Sequence, residues 1–292
     1  MKPKKLGKQA QLFSFSSSLI RFYSFVSILP QLPRLPLTRC AIPQAQSSAM
    51  RFPNCQPIVM SNLMVTASPL LIGALTASDC VLIDKEHGIY GTEELIPMTM
   101  QCRHLQFPSI VRVEDSLYHL IAKAIDLGAD GIMLPRVERM EQVAAAVEAM
   151  HFLPIGRTGY GGWGLRREGE SIEDFQRGRI LMVQIESIQG KELIPEMVNK
   201  YGDFIDAFIV GPNDYSFSLG YPKQPSHAKV TAEVQQVFDI CHRQGKSCGC
   251  YASSPAITKQ YAEMGANVFW VGSDEKYFRM GLEQYLNAVP QN

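Results

Sequence analysis

Asp84 and His87 close the apolar run Val81-Leu82-Ile83 in the segment Asp84-Lys85-Glu86-His87-Gly88. A carboxylate at that spacing can orient an imidazole and raise its basicity, giving a general base that works near neutral pH. Arg112 interrupts a second apolar run, Ile110-Val111-Arg112-Val113. A guanidinium there is costly unless it has a partner or faces an anionic ligand. In Val183-Gln184-Ile185-Glu186 the period of two puts Gln184 and Glu186 on one face. Asp214 ends Gly211-Pro212-Asn213-Asp214, just past another run. Glu186 and Asp214, if they converge from neighbouring strand ends, suit a hard divalent cation that keeps several waters. Mg²⁺ or Mn²⁺ fits that description, with Co²⁺ also compatible. Singly, each residue has a plainer use. Asp84, Glu186 and Asp214 can start or cap helices, and His87 can be a polar loop residue.

Such residues need elements that bring them to one place. From residue 58 onward, strand-like runs alternate with helical patterns. Strands are expected at 58–66, 81–84, 109–113, 132–134, 180–185, 204–210, 247–251 and 268–271. Helices are expected after Ser68-Pro69, from Thr92 toward His104, from Ser116 to Gly128, and from Met140 to Met150. Further helices are expected after Ser187, around Val230–Cys241, after Ser254-Pro255, and from an Asp274 cap. Eight strands, each followed by a helix, make a (β/α)8 TIM barrel, an α/β fold whose chemistry sits at the C-terminal ends of its strands. A doubly wound open sheet is the alternative. The first βα turn lacks the glycine fingerprint that such a nucleotide-binding sheet would carry.

Composition narrows the class. The chain has 292 residues, 46% of them hydrophobic, and 28 basic residues balance 28 acidic ones. Zero net charge argues against a nucleic-acid binder, and no run is long and apolar enough to span a membrane. Residues 1–78 contain no Asp or Glu, yet carry Lys2, Lys4, Lys5, Lys8, Arg21, Arg34, Arg39 and Arg51. We therefore expect two parts: a disordered, basic N-terminal extension over residues 1–57 and a barrel over residues 58–292. The extension reads as a transit peptide, or as the result of a start codon set upstream of Met50, Met60 or Met64. A cytoplasmic or mitochondrial-matrix location follows. The 7 cysteines are scattered without a CxxC pair, as in a reducing compartment.

In order along the chain stand D-x-E-H-G (84–88), V-R-V (111–113), the run Asp126-Leu-Gly-Ala-Asp-Gly-Ile-Met-Leu-Pro-Arg-Val-Glu138, V-Q-I-E (183–186) and G-P-x-D (211–214). Together these motifs resemble the HpcH/HpaI aldolase family of metal-dependent pyruvate aldolases, over residues 58–288. The resemblance implies that Glu186 and Asp214 hold the metal and that His87 and Asp84 form the base dyad. Arg112 would face the keto oxygen of a 2-oxo acid, with Gln184 and Asn213 lining the substrate. Asp126 matches an acidic residue placed near a neighbouring subunit's site. A homo-oligomer is thereby implied, built from dimers and often a hexamer. The implied reaction is cleavage of a 4-hydroxy-2-oxo acid to pyruvate and an aldehyde.

Three other readings compete. A Schiff-base aldolase would need a lysine at a strand end, where only Lys85 stands among the motifs. An oxaloacetate-decarboxylating enzyme of the macrophomate synthase kind would use the same scaffold, and a non-catalytic barrel would serve only for binding. The glycine-rich loop 156–164 lacks the Lys-Ser/Thr ending of a P-loop. It reads as a cover for the site, with Arg157 and Arg166 near an acidic substrate tail. The terminal helix, with Tyr277, Phe278, Leu282, Tyr285 and Leu286, reads as core or subunit interface.

Overall fold

Short apolar runs bounded by glycine and proline favour fully buried parallel strands, because helices then cover the outer face of the sheet. The computed structural model describes residues 57–162 and 169–290, and in it those runs form parallel strands. The strands are β1 (Ile58–Leu63), β2 (Cys80–Asp84), β3 (Ser109–Arg112), β4 (Gly131–Leu134), β5 (Ile180–Ile185), β6 (Ala207–Val210), β7 (Ser247–Ala252) and β8 (Val268–Val271). They pair in sequence order and close as an eight-stranded barrel. Closure comes from β1 lying beside β8, with Met60 opposite Trp270. The helices are α1 (Ile72–Leu75), α2 (Thr92–His104), α3 (Tyr118–Asp126), α4 (Met140–Met150) and α5 (Ile172–Gly178). They continue with α6 (Ile188–Tyr201), α7 (Pro212–Ser218), α8 (Ala228–Arg243), α9 (Pro255–Glu263) and α10 (Asp274–Ala288). The (β/α)8 expectation is met.

Alternation along the strands sorts two cores. Ile58, Met60, Leu82, Ile110, Met133, Met182, Ile209 and Trp270 fill the barrel interior. Their neighbours, such as Val81, Ile83, Val111, Ile132, Val183 and Phe208, pack outward with the helices. Cys241, Cys248 and Cys250 are buried free thiols in that outer layer, as a reduced chain requires. Of the N-terminal extension expected over residues 1–57, residues 1–56 lie outside the described residues, as do Gly164 of the glycine-rich loop and Arg166 after it.

Several boundaries differ from expectation for local reasons. β1 stops at Leu63, because the backbone amides of Met64, Val65 and Thr66 turn to the carboxylate of Asp274 instead of a strand partner. Asp274 is therefore not the cap of α10. Ser273 is, accepting from the Lys276 amide. Likewise Ser116 does not cap α3: the N-cap is Leu117, without a side-chain bond. β6 begins three residues late, since the amides of Phe204 and Ile205 still donate to Tyr201 O in the turn that ends α6. Helices α5 and α7, absent from the sequence expectation, are single short elements of seven residues each.

Candidate active site

The β2–β3 register sets Asp84 directly beside Arg112, and the strand period turns both side chains inward at the C-terminal end of the barrel. They are almost wholly buried. Arg112 Nε donates to Asp84 Oδ1 at 2.9 Å and Nη2 to Oδ2 at 2.5 Å, a bidentate pair. Asp84 Oδ1 also accepts from the backbone amides of Glu86 and His87, at 3.1 and 3.2 Å. This carboxylate thus folds the turn after β2 and anchors the guanidinium.

The side-chain pairing of Asp84 with His87 expected from their spacing is corrected by this arrangement. The three-residue spacing brings the backbone of His87, not its ring, to the carboxylate. The imidazole is 57% exposed, and its Nε2 lies 3.9 Å from Glu86 Oε2. Glu86 is the carboxylate between His87 and the guanidinium, since Arg112 Nη1 sits 3.1 Å from the same Glu86 oxygen. Arg136 Nε reaches the other Glu86 oxygen at 3.1 Å. Burial still pushes the Glu86 carboxyl upward, while Arg112, His87 and Arg136 pull it down.

Glu186 follows the last residue of β5 and is 6% exposed. Gln184 Nε2 donates to Glu186 Oε1 at 2.5 Å. Their shared face is the one that alternation called for. Burial, then Asp214, then Glu86 push the Glu186 carboxyl up to about 8, while Arg112 and the peptide N–H of Arg136 act the other way. Asp214 stands in the first turn of α7 and is exposed, as is Asn213 beside it. Gly211 makes the arrangement possible. A Cβ there would lie 2.1 Å from Glu186 Oε1 and 2.9 Å from Gln184 Nε2, so only glycine leaves the carboxylate its seat.

Among the described residues, no three His, Cys, Asp or Glu side chains converge as a complete cage. Burial, Asp214 and Glu86 raise the Glu186 carboxyl despite Arg112, and a buried Gln184 Oε1 beside it has no hydrogen-bond partner. That donor chemistry fits a hard cation that fills its remaining positions with water and substrate oxygens.

Lys85 Nζ is paired to Glu114 Oε1 at 2.7 Å, with a side chain only 8% exposed. Asp126 is not at this rim. It ends α3, and the C-terminal ends of barrel helices lie at the opposite face from the strand C-termini. Burial pushes its carboxyl up, against the pull of Lys123.

Sequence reasoning overlooked Glu86, Arg136 and Gly211 as parts of the site. Glu86 was visible in D-x-E-H-G, but strand alternation stops at Asp84 and so could not aim it. Arg136 takes a positive φ of 46°, a conformation that L residues rarely adopt. Gln142 holds that turn from inside α4. It donates to Arg136 O at 3.2 Å and accepts from the Glu138 and Arg139 amides at 2.8 and 3.0 Å. No sequence rule announces a left-handed arginine.

The sequence model of the HpcH/HpaI aldolase/citrate lyase family matches residues 64–280. The 5-keto-4-deoxy-D-glucarate aldolase of Salmonella arizonae is 29% identical over 224 residues, covering 75% of this chain and 87% of that protein. The 2-keto-3-deoxy-L-rhamnonate aldolase of Salmonella gallinarum is 29% identical over 222 residues, covering 74% and 82%. Among solved structures, a HpcH/HpaI aldolase/citrate lyase family protein from Burkholderia cenocepacia superposes with a TM-score of 0.73 at 25% identity. The match covers 82% of this chain and 96% of that one. With the motif order and the closed barrel in agreement, the chain belongs to the HpcH/HpaI aldolase/citrate lyase family.

Proposed function

We propose that this chain is a carbon–carbon lyase that cleaves 4-hydroxy-2-oxo acids to pyruvate and an aldehyde, and joins them in reverse, with a divalent cation held by Glu186 and Asp214. The observation that carries the reading is the crowding of Glu186 by Asp214 and Glu86 beside a buried, doubly partnered Arg112. When bound, Mg²⁺ or Mn²⁺ supplies Lewis acidity toward the 2-oxo acid. Arg112, fixed by Asp84, faces the keto oxygen and stabilises the negative charge that develops there. In the cleavage direction the C3–C4 bond breaks and its electron pair moves into the pyruvate enolate. The C4 hydroxyl loses its proton to His87 as the aldehyde forms, and the enolate carbon then takes up a proton to give pyruvate. Gln184 and Asn213 line the pyruvyl side, and Glu86 holds the imidazole toward Arg112.

The lysine alternative is disfavoured by the ion pair of Lys85, which keeps its amine occupied by Glu114. A pyruvate-release assay with and without Mn²⁺, and after chelation, tests the reading. Activity that survives chelation, or that is lost on borohydride trapping with pyruvate, would overturn it in favour of a Schiff base.

A homo-oligomer is part of the proposal. Helix α10 carries exposed Phe278, Met280, Leu282, Tyr285 and Leu286, an apolar surface suited to a second copy of the chain. Asp126 on the far rim would meet a neighbour's site in that assembly. Among the described residues, no helix is long and apolar enough to cross a membrane.

A further inference from the structure

Glu186 and Asp214 stand on separate elements, so something behind the rim has to set the space between them. Glu186 precedes Ser187, the N-cap of α6. Asp214 lies in α7, a helix of only 7 residues. A helix that short is not stable in water by itself, and its place depends on tertiary contacts. The residue beside Asp214 supplies one. Tyr215 is wholly buried and packs into the core layer between strands and helices.

The Tyr215 hydroxyl donates to Glu233 Oε2 on α8 at 3.3 Å. The same carboxylate oxygen accepts from Lys191 Nζ, near the start of α6. Lys191 Nζ also donates to Gln236 Oε1 at 2.8 Å, so α8 holds it at two points. The Lys191 and Glu233 side chains are only 12% and 20% exposed, and salt screens such a pair weakly. One oxygen of Glu233 therefore ties the helix that follows Glu186 to the helix that carries Asp214. Withdrawing an ion pair from water is costly, and apolar side chains can join two helices as well or better. What the charged link adds is direction: Lys191 and Tyr215 must each aim at a single atom.

We propose that Lys191, Glu233 and Tyr215 are positioning residues, which hold Asp214 at the separation from Glu186 that a divalent cation requires. This rests on the reading above in which those two carboxylates hold the cation. Hard cations bind at short, narrowly defined oxygen distances. A carboxylate on an unanchored α7 would meet that demand only part of the time, and affinity would fall although both ligands were present.

The test measures Mn²⁺ binding from the paramagnetic resonance signal of the free ion, without substrate or turnover. Tyr215→Phe keeps the buried ring and removes only the hydroxyl. It is expected to raise the Mn²⁺ Kd about three- to tenfold, less than the loss of a group bonded directly to a metal ligand. The double variant Lys191→Met with Glu233→Leu replaces the ion pair by apolar groups. Its melting temperature should hold or rise, while its Kd rises as in Tyr215→Phe. Adding Tyr215→Phe to it should change Kd no further, because the link is already broken. Should the double variant not fold, Tyr215→Phe decides alone. Wild-type binding that Asp214→Asn weakens and Tyr215→Phe leaves unmoved overturns the positioning role and keeps the cation reading. Effects that multiply when the substitutions are combined overturn it as well. No Mn²⁺ binding by the wild type, or binding indifferent to Asp214→Asn, sinks the cation reading and the positioning role together.

Discussion

Asp274 at the β8–β1 seam and Glu186 at the β5–β6 mouth are both nearly buried carboxylates, 4% and 6% exposed, in opposite circumstances. Asp274 accepts from the backbone amides of Met64, Val65 and Thr66, at 3.1, 3.0 and 2.7 Å. It bonds the loop after the first strand to the start of the last helix, and so braces the junction where the barrel closes. Glu186 has one amide side chain and one peptide N–H for support, and two further carboxylates close enough to raise it to about 8. A carboxylate with a full set of donors builds structure. One left short of positive charge is poised to receive it, and its cost is tolerated where a ligand can offset it. Asp84 belongs with Asp274 in this division, since its oxygens are taken by Arg112 and two amides.

The contrast breaks if the two groups respond alike to truncation. The largest expected effect is on turnover in Glu186→Gln, a loss of about 10³-fold or more in kcat. Its melting temperature should be unchanged or raised, because glutamine keeps the shape of a buried carboxyl that the fold compensates poorly, and cannot ionise. His87→Ala comes next, with a loss of about 10²–10⁴-fold in turnover, the range for a general base, and an intact fold by circular dichroism. Near-wild-type cleavage by that variant would remove His87 from the mechanism. Asp274→Ala should show the reverse pattern to Glu186→Gln: about 2–4 kcal/mol of stability lost in urea unfolding, from three amides left without an acceptor. A large kinetic defect in well-folded Asp274→Ala protein would erase the distinction.

Two smaller effects sharpen it. Arg136→Gly relieves the backbone at φ 46° and removes a half-solvated ion pair to Glu86. Stability should hold or rise slightly, and activity should fall by about tenfold or less. The smallest effect concerns His151, buried far from the rim, where burial lowers its pKa below the usual 6.5. The folded chain holds this ring neutral, with Nδ1 donating to Val147 O at 3.0 Å. Its contribution to stability is present above pH 6.5 and is lost as pH falls through the depressed folded value. Thermal melts of wild type and His151→Gln should converge as pH drops through that window. Divergence toward low pH would show the sign to be wrong.

Much of the barrel was legible because its signals are local. Glycine-bounded apolar runs such as Val268–Val271 read as strands on their own, and Ser187 and Ser254 announced their caps correctly. Where a distant group intervened, local reading failed. Ser68-Pro69 promised a helix, yet only a 3-10 turn and the four residues of α1 follow. Asp274 looked like a cap because a cap and a cross-barrel acceptor have the same sequence signature. Its true partners lie more than 200 residues away. The site divides in the same way. Gln184 with Glu186 followed from a period of two, whereas Arg112 with Asp84 came from the β2–β3 register, and Glu86 and Arg136 sit in turns where that period no longer holds.

The linear order of residues by itself determined the number and sequence of strands, the inward faces at the site, and the residue types available at the rim. These depend on backbone periodicity and side-chain chemistry, which act over a few residues. Only the tertiary structure decided which carboxylate Arg112 would hold, that His87 would lean toward Glu86, that Gly211 would leave room for Glu186, and that Trp270 would lie against the guanidinium. Those outcomes depend on distances between elements far apart in the chain. At those distances a shift of one ångström changes a hydrogen bond into a vacancy, and no local propensity encodes it.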